Sequence, residues 1–309
     1  MSEIIIKING EKLEFFDNVV FSSQINSISS SFSFNTFYDI PLYEFAKIQV
    51  YRNNVLFFTG TVIEKIDPNN TSPEPFNYKC YSLTGILEDC TIPLESYPIQ
   101  TKEKTLKEIV ENLCNNFEIT VKIDSSASSD ISSEYEIKDQ SPDSRVSDII
   151  NNLCSQQNLI LTHNAKGELI ITKKVLGNNE TYPFIVKSQK RYNYRSFYYQ
   201  YNVLGQQPAN DDTEKEISTR FSNIDKKRTI TVIQNEGDSS ITQKQANAVR
   251  NDSYKSNSLN IEFNDFFANV GNIFIVDDVK CLCNSVNYNY NSKGETCAVS
   301  LLNSKVYQR

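Results

Sequence analysis

Two stretches of the chain, TLKEIVENLCNNFEI (Thr105–Ile119) and RVSDIINNLCSQQNL (Arg145–Leu159), share a hydrophobic frame that ends in Asn-Leu-Cys. In each stretch the apolar residues recur at the spacing of one helix face, which predicts two amphipathic helices. The matched positions carry only apolar residues, whereas the polar positions differ between the two copies. A repeated catalytic group would repeat a polar residue, so the repeat indicates architecture rather than chemistry.

The segments around these helices predict an α+β unit over residues 96–175. Thr105 and Glu108 have the spacing of a capping box for the first helix. For the second helix, Ser141 is the expected N-cap and Pro142 the expected first helical residue. The remaining expected elements are a strand after each helix, a polar loop in the stretch DSSASSDISSE (124–134) between them, and a hairpin turn at residues 164–167.

Residues 1–95 are predicted to form a first small β-barrel domain. Asn-Gly at positions 9–10 separates two extended runs, which is the strongest short-range signal for a hairpin. A second hairpin is expected to turn at residues 53–54, and YKCYSLTGILEDC (78–90) is expected to continue the strands. Several short strands with polar turns are typical of a small barrel or sandwich.

Residues 176–309 are predicted to form a second β-barrel domain, with a loop and a helix inserted at about residues 205–256. The whole chain is therefore expected to be α+β and mostly β. The expected elements are one extended stretch RYNYRSFYYQYNVLGQQ (191–207), a polar loop PANDDTEKE (208–216), a strand RTITVIQ (228–234), a helix SSITQKQANAVRNDSYKSN (239–257) with a capping box at Ser240 and Gln243, and final strands that turn at residues 291–294.

The overall composition excludes some classes of protein. A chain of 309 residues predicts two or three domains. Its net charge of −7 argues against the basic footprint that a nucleic-acid-binding protein needs. The odd number of cysteines, 7, indicates reduced thiols rather than a disulfide framework. Neither a targeting segment nor a membrane span is expected, because no apolar run is long enough.

The sequence predicts no catalytic, cofactor or metal site. The common nucleophile and phosphate-binding motifs are absent, and the only histidine, His163, precedes a turn, where we expect it to be exposed and inert. A strand pattern places Cys281 and Cys283 on one face, where an apolar cluster with Cys297 is favoured over a metal site. The remaining candidates are interpreted as solvated turns (Asp211-Asp212 and Asp277-Asp278) and as core thiols rather than a redox pair (Cys114 and Cys154).

Aromatic strand residues are the candidate interface. The tyrosine-rich stretch from Arg191 to Tyr201 has interleaved arginines and could stack on nucleic-acid bases, but the acidic net charge favours a barrel wall or a subunit contact. In SSFSFN, two phenylalanines alternate with serines on one face of a strand. The predicted interface residues are Phe32, Phe34, Tyr194, Tyr198 and Tyr201.

Four stretches together resemble the baseplate hub proteins of contractile phage tails, in particular the Mu-type hub, whose fold is shared with the N-terminal part of type VI secretion VgrG spikes. They are VYRNNVLFFTGTVIEKI, YSLTGILEDCTIPLESYPIQTKEKTLKEIVENLC, RYNYRSFYYQYNVLGQQ and NIFIVDDVKCLCNSVNYNYNSKGETCAVSLLNSKVY. The chain departs from the family in having no Trp before its final strands, where it has Phe266 and Phe267, and in being shorter than many relatives.

The resemblance implies a structural protein without enzymatic activity. It implies a homotrimer in which each subunit contributes two small barrels, so that a ring of six barrels adapts the six-fold tail tube to the three-fold spike. The implied partners are the tube protein, a spike or tail-tip protein and other baseplate proteins. DNA would pass through a central channel without specific binding. The implied location is the tail baseplate of a virion, after assembly in the bacterial host cytoplasm.

Two other functions stay open at this point. The aromatic strands are compatible with a carbohydrate- or receptor-binding tail adhesin module. A wall hydrolase is the third hypothesis, although the sequence lacks a convincing pair of acid and base residues.

Overall fold

The computed structural model describes residues 2–41, 44–68, 74–99, 103–132, 141–173, 177–205, 215–218, 227–234, 255 and 257–307. Within these ranges the chain is mostly β-sheet, with a smaller α+β unit between two β regions. The prediction of an α+β, mostly β protein is confirmed at this level.

The described residues of the first β region form seven strands. They are β1 (Ile4–Ile8), β2 (Glu11–Lys12), β3 (Asp17–Gln24), β4 (Ser31–Thr36), β5 (Lys47–Arg52), β6 (Val55–Ile66) and β7 (Phe76–Ser82). Both predicted hairpins are confirmed, because β1 pairs with β2 and β5 pairs with β6. Asn9 and Gly10 have φ angles of 50° and 90°, the left-handed backbone that a two-residue type I′ turn requires and that Asn and Gly tolerate.

The middle unit packs its helices against a three-stranded sheet. Its helices are α1 (Ile86–Asp89), α2 (Leu106–Asn115), α3 (Ser128–Ile131) and α4 (Val146–Gln156), and its strands are β8 (Val121–Ile123), β9 (Ile160–His163) and β10 (Leu169–Thr172). The sheet order is β8-β10-β9, with β10 parallel to β8 and antiparallel to β9. The apolar faces of α2 and α4 lie in one buried cluster with strand residues such as Leu161 and Ile171, so the repeated frame serves packing.

Two stretches of the middle unit are more helical than the sequence predicted. After Ser82 the strand ends, and residues 83–85 form a 3₁₀ turn that continues into α1, where Leu87 is fully buried. Gly85 is required there, because a Cβ at this position would lie 1.9 Å from the ring of Tyr81. In the Ser-rich stretch, a 3₁₀ turn and α3 bury Ala127 and Ile131 instead of forming a polar loop.

The start of α4 also corrects the prediction for the second helix. Its N-cap is Arg145, without a side-chain cap, whereas residues 141–144 form a turn outside the helix. The Val146 N–H donates to the carbonyl of Cys90 at 3.0 Å, and Arg145 forms a β-bridge with Thr91. Because this bridge holds Arg145 in extended backbone, the helix cannot begin at Pro142.

The predicted capping box of α2 is confirmed. The Glu108 N–H donates to Thr105 Oγ1 at 3.3 Å, and the Thr105 N–H donates to Glu108 Oε2 at 2.8 Å. Replacing Thr105 with alanine is expected to lower the free energy of unfolding by about 0.5–2 kcal/mol, because a helix N–H loses its acceptor. Urea unfolding followed by circular dichroism measures this change.

The exposed Asn112 of the same helix provides the control. Asn112→Ala is expected to be neutral or slightly stabilising, since alanine has the higher helix propensity. Equal destabilisation by the two substitutions would contradict the capping role of Thr105.

The last β region contains eight strands within the described residues. They are β11 (Lys187–Tyr192), β12 (Gln200–Gly205), β13 (Lys215–Ser218), β14 (Thr229–Gln234), β15 (Asn257–Asn264), β16 (Ile273–Val276), β17 (Val279–Asn291) and β18 (Gly294–Asn303). The strand predicted at 228–234 and the hairpin at 291–294 are confirmed. Residues 208–214, the capping box at Ser240 and Gln243 and most of the helix predicted at 239–257 lie outside the described residues; Asn257 begins β15.

The tyrosine-rich stretch is not one extended segment. A 3₁₀ turn at Tyr194–Ser196 separates β11 from β12, and the two strands belong to different sheets. Strand β12 is the centre of a small sheet, antiparallel to β13 and parallel to β14. The backbone turns at this point because the Asn193 side chain accepts a hydrogen bond from the Arg195 N–H at 3.1 Å.

Within the described residues, the two β regions join in one sheet of twelve strands. Its order is β11-β15-β18-β17-β3-β4-β7-β6-β5-β1-β2, with β16 paired to β17. Strand β3 of the first region pairs with β17 of the last region, and residues of both regions fill one core, for example Phe34 and Phe263. The pairings form a continuous sheet, and closure into two barrels stays a prediction, as do the domain boundaries.

One strand order occurs twice along this sheet. The first region contains the order β3-β4-β7-β6-β5, and the last region contains the order β11-β15-β18-β17-β16. In each unit, the strands stand in the sheet in the order first, second, fifth, fourth and third along the chain. The small sheet of β12, β13 and β14, which is inserted between β11 and β15, is not counted. We refer to these as the first and second five-strand units.

Candidate interaction surface

Two of the five predicted interface residues lie inside the chain. Phe32 and Phe34 are 1% and 0% exposed. The Phe32 ring stacks on Phe58 with a centroid distance of 5.2 Å, and the Phe34 ring stacks on Tyr78 at 5.1 Å. The alternation in SSFSFN therefore marks the core face of β4, and these rings present no surface to a second subunit.

The three tyrosines of the interface prediction have different surroundings. Tyr201 is buried, and its hydroxyl accepts a hydrogen bond from the Tyr198 N–H at 3.1 Å. The ring of Tyr198 contacts Tyr201 and the guanidinium of Arg228, which lies 5.3 Å from the ring centroid. Only Tyr194 is largely exposed, at 72%. The stretch is thus not a continuous stacking platform.

Strand β11 lies at one end of the large sheet. It pairs with β15 on one side, and within the described part of the chain no strand pairs with its other side. All six of its residues are exposed, among them Lys187, Lys190 and Arg191. Tyr192 continues this exposed surface and stacks on Tyr194, with a ring centroid distance of 6.3 Å and nearly parallel planes.

The carboxyl-terminal part of β6 is a second free edge. Strand β5 pairs with β6 as far as Thr61, and beyond that point only β7 pairs with β6 among the described residues. Ile63 and Ile66 are 47% and 43% exposed. An edge with unpaired backbone groups and exposed isoleucines favours pairing with another strand.

A buried ion pair links the first and last regions. Arg52, at the end of β5, donates from Nε and Nη2 to Glu295 Oε2 of β18, at 3.1 and 3.0 Å. The Glu295 side chain is fully buried, and it also accepts from the Tyr288 hydroxyl at 2.9 Å. Burial raises the pKa of Glu295, but hydrogen bonds from Ser2, Tyr288 and Arg52 outweigh burial and hold the pKa below its ordinary value. Sequence reasoning missed this pair, because nothing in the local pattern joins residues so far apart.

His163 differs from the expectation of an exposed turn residue. It is half-buried at the end of β9, and its Nδ1 lies 3.1 Å from the carbonyl oxygen of Ser27. Burial lowers the pKa of His163. The ring lines a cleft of about 460 Å³ that also contains Arg52, Thr59 and Phe267. Among the described residues, Ser23, Ser30 and Ser82 also line the cleft, whereas no carboxylate and no cysteine does.

The cysteines pack as apolar side chains. All seven are free thiols, and all except Cys90 are buried. Burial raises the pKa of Cys114 and that of Cys154 to about 12, so both stay protonated and unreactive. Cys283 and Cys297 lie in the core that the two regions share, where burial also raises their pKa values.

The remaining chemical candidates are explained by local structure. Asp277 and Asp278 form the turn between β16 and β17, with φ angles of 49° and 60°, whereas Asp211-Asp212 lies outside the described residues. Within the described ranges, no three residues of the types His, Cys, Asp and Glu group together as metal ligands would. No helix in the same ranges has the length and hydropathy needed to cross a membrane.

Comparison with known proteins gives a family match for the middle of the chain. Residues 84–173 match the model of the second domain of baseplate hub proteins of the gp44-like family. These residues contain both copies of the repeated helix. No curated protein matched the sequence.

Solved structures match over nearly the whole chain. The 43 kDa tail protein of prophage MuSo2 from Shewanella oneidensis has a TM-score of 0.82 at 16% identity, with 99% of each chain covered. A tail protein from Neisseria meningitidis has a TM-score of 0.80 at 14% identity, covering 99% of this chain and 98% of the other.

The same fold occurs in a secretion machine. The E. coli c3393 protein, a component of the type VI secretion system similar to the T4 tail proteins gp27 and gp5, has a TM-score of 0.57 at 10% identity. The match covers 96% of this chain and 76% of the other. The chain therefore has the fold of prophage tail proteins and of a type VI secretion component, and its residues 84–173 match the gp44-like baseplate hub family, which confirms the resemblance to baseplate hubs.

Proposed function

We propose that the chain is a structural hub of a contractile tail or a related injection machine, and that it works as a homotrimer. Each subunit supplies a first barrel (1–95), an α+β domain (96–175) and a second barrel (176–309). Three subunits then present six similar units to the tube and three-fold symmetry to the spike. The hub lies in the tail baseplate of a virion after assembly in the host cytoplasm, in contact with the tube, spike and other baseplate proteins.

The observation that carries this proposal is the strand order that occurs twice in one chain. A chain with two similar units becomes pseudo-six-fold when three copies surround one axis. Such a ring needs surfaces rather than an active site, which agrees with buried thiols of high pKa and with a His163 cleft whose described lining residues include no carboxylate.

The net charge supports the passage of DNA through the ring. At −7 the chain is acidic, and proteins hold DNA mainly through cationic contacts to its phosphates. A lumen that lacks such contacts lets the duplex move without specific binding. Binding of the purified ring to linear DNA at low salt would contradict this part of the proposal.

Size-exclusion chromatography with light scattering is expected to give a mass three times that of one chain, and negative-stain micrographs are expected to show a ring with a central hole. The purified full-length chain is the sample, and a chemically crosslinked aliquot keeps weak rings intact on the grid. A stable dimer, or compact particles without a hole, would contradict the trimeric hub.

A further inference from the structure

The two five-strand units agree in detail beyond their strand order. Strand β6 has a bulge at Ile63 against β7, and β17 has a bulge at Asn284 against β18. Just before each bulge, the Val62 N–H donates to the carbonyl of Ala46 at 3.0 Å, and the Cys283 N–H donates to the carbonyl of Asn272 at 2.8 Å. Val62 is therefore the counterpart of Cys283, and each later residue of β6 has a counterpart in β17.

Among the described residues of one chain, the two units join where β17 pairs with β3. Beyond the bulge, the outer edge of β17 pairs antiparallel with β3, the first strand of the other unit. The Ile25 N–H donates to the carbonyl of Asn284 at 2.8 Å. Ile25, which is 2% exposed, packs there against Ile273 and Leu282.

The internal seam joins an edge of β17 to an edge of β3. The counterparts of these two edges lie on β6 and β11, and they are the two edges described above that have no paired strand within the described residues. Residues 64–66 of β6 are the counterparts of residues 285–287, the beginning of the part of β17 that pairs with β3. Strand β11 corresponds to β3, because each is the first strand of its unit and pairs with the second. Where Val286 is buried at the seam, its counterpart Lys65 is exposed, and where Ile25 is buried, its counterpart Tyr194 is exposed.

We infer that β6 of one copy pairs antiparallel with β11 of a second copy and so repeats the internal seam between subunits. The register of the seam sets the register of this contact, since β17 pairs Asn287 with Ser22 and Tyr288 with Phe21. Their counterparts place Ile66 opposite Arg191 and Asp67 opposite Lys190 of the second copy. This contact deepens, and rests on, the ring of the proposed function.

Charge and exposed aromatic surface favour a second copy as the occupant. Strand β11 carries three cations, Lys187, Lys190 and Arg191, whereas residues 63–67 at the β6 edge carry two carboxylates, Glu64 and Asp67, and one cation, Lys65. The paired rings of Tyr192 and Tyr194 are exposed beside β11. In the contact, Tyr194 takes the place that Ile25 occupies at the internal seam and becomes covered.

A disulfide between the two edges tests the contact. The double variant Ile66→Cys/Arg191→Cys is expected to shift from the monomer band to covalent multimers on a non-reducing gel after mild oxidation, because opposed residues of an antiparallel pair have Cβ atoms about 4.5–5.5 Å apart. The variant Ser22→Cys/Asn287→Cys reports whether oxidation works, since its cysteines face each other within one chain.

Three controls test the register of the β6–β11 pairing and measure crosslinking that does not depend on the cysteine pair. The slipped pair Ile66→Cys/Tyr192→Cys is expected to stay at the monomer band, because a one-residue shift points the side chain to the opposite face. Each single variant and the wild-type chain, whose Cys90 is half-buried, are also expected to give only the monomer band.

Light scattering on the same reduced samples separates this inference from the proposed function. A trimer whose double variant remains at the monomer band, while the intrachain control is oxidised, overturns the pairing of β6 with β11 and leaves the ring intact. A monomer without interchain crosslinks overturns both. Equal crosslinking of the slipped and registered pairs overturns the register.

Discussion

Replacing Phe34 with alanine is expected to lower the free energy of unfolding by about 3–5 kcal/mol, the range for removing a buried aromatic ring. Phe34 is 0% exposed, and its ring centroid lies 5.1 Å from that of the stacked Tyr78 ring and 6.1 Å from that of Phe32. The cavity left behind cannot close, because its walls are strands held by backbone pairing on both sides of β4. Urea unfolding followed by circular dichroism measures the loss.

Phe37 provides the matched control, since it is three residues further along and 72% exposed. Phe37→Ala is expected to change the unfolding free energy by no more than about 0.5 kcal/mol. Equal unfolding midpoints for the two variants would contradict the placement of Phe34 in the core. The same burial means that Phe34→Asp unfolds the chain, so loss of assembly in that variant does not report on a subunit contact.

Replacing Arg52 with alanine is expected to destabilise the chain by about 3–5 kcal/mol, because it leaves a buried carboxylate without its cation. Glu295 is fully buried, and Arg52 donates to it twice. The substitution weakens the contact between the first and last β regions, because Arg52 and Glu295 link these regions. Denaturant unfolding of the variant and the wild type gives the difference.

Two further variants test whether the unpaired buried charge of Glu295 causes the loss of stability in Arg52→Ala. The double variant Arg52→Met/Glu295→Gln is expected to recover most of the loss, because no charge is then left unpaired. Lys79→Ala removes a half-exposed ion pair with Glu64 at 2.7 Å and is expected to cost at most about 1 kcal/mol. A double variant less stable than Arg52→Ala would contradict this account.

The pH dependence of stability gives a further signature of Glu295. Its pKa in the folded chain lies below its ordinary value. The stabilisation is therefore present above the unfolded pKa and is lost as the pH falls through the folded pKa. Glu295→Gln is expected to flatten this acid-side loss in a series of unfolding curves.

Local sequence patterns predicted the elements whose cause is local. The hairpin at residues 9–10 needs only two residues that tolerate a left-handed backbone, and both have positive φ angles. The capping box of α2 joins Thr105 to a residue three positions away. The repeated apolar frame predicted α2 and α4, because helix periodicity is a property of consecutive residues.

The errors fall where distant residues decide. The α4 helix begins at Val146 because Arg145 bridges to Thr91, and the stretch after Ser82 becomes helical because it buries Leu87 in the middle unit. Phe34 and Tyr192 both lie in aromatic strand stretches, yet Phe34 is buried and Tyr192 is exposed. Burial on one face of a strand cannot be read from alternation when the identity of the covering element is unknown.

By itself, the sequence determined the two repeated helices, the hairpins at residues 9–10, 53–54 and 291–294, and the absence of the common catalytic motifs. Only the tertiary structure decided that β3 pairs with β17, that Glu295 lies against Arg52, and that edges of β6 and β11 have no paired strand within the described residues. The physical reason is range: turns and helix faces follow from neighbours within a few residues, whereas sheet order follows from which distant strands pair once the chain has folded.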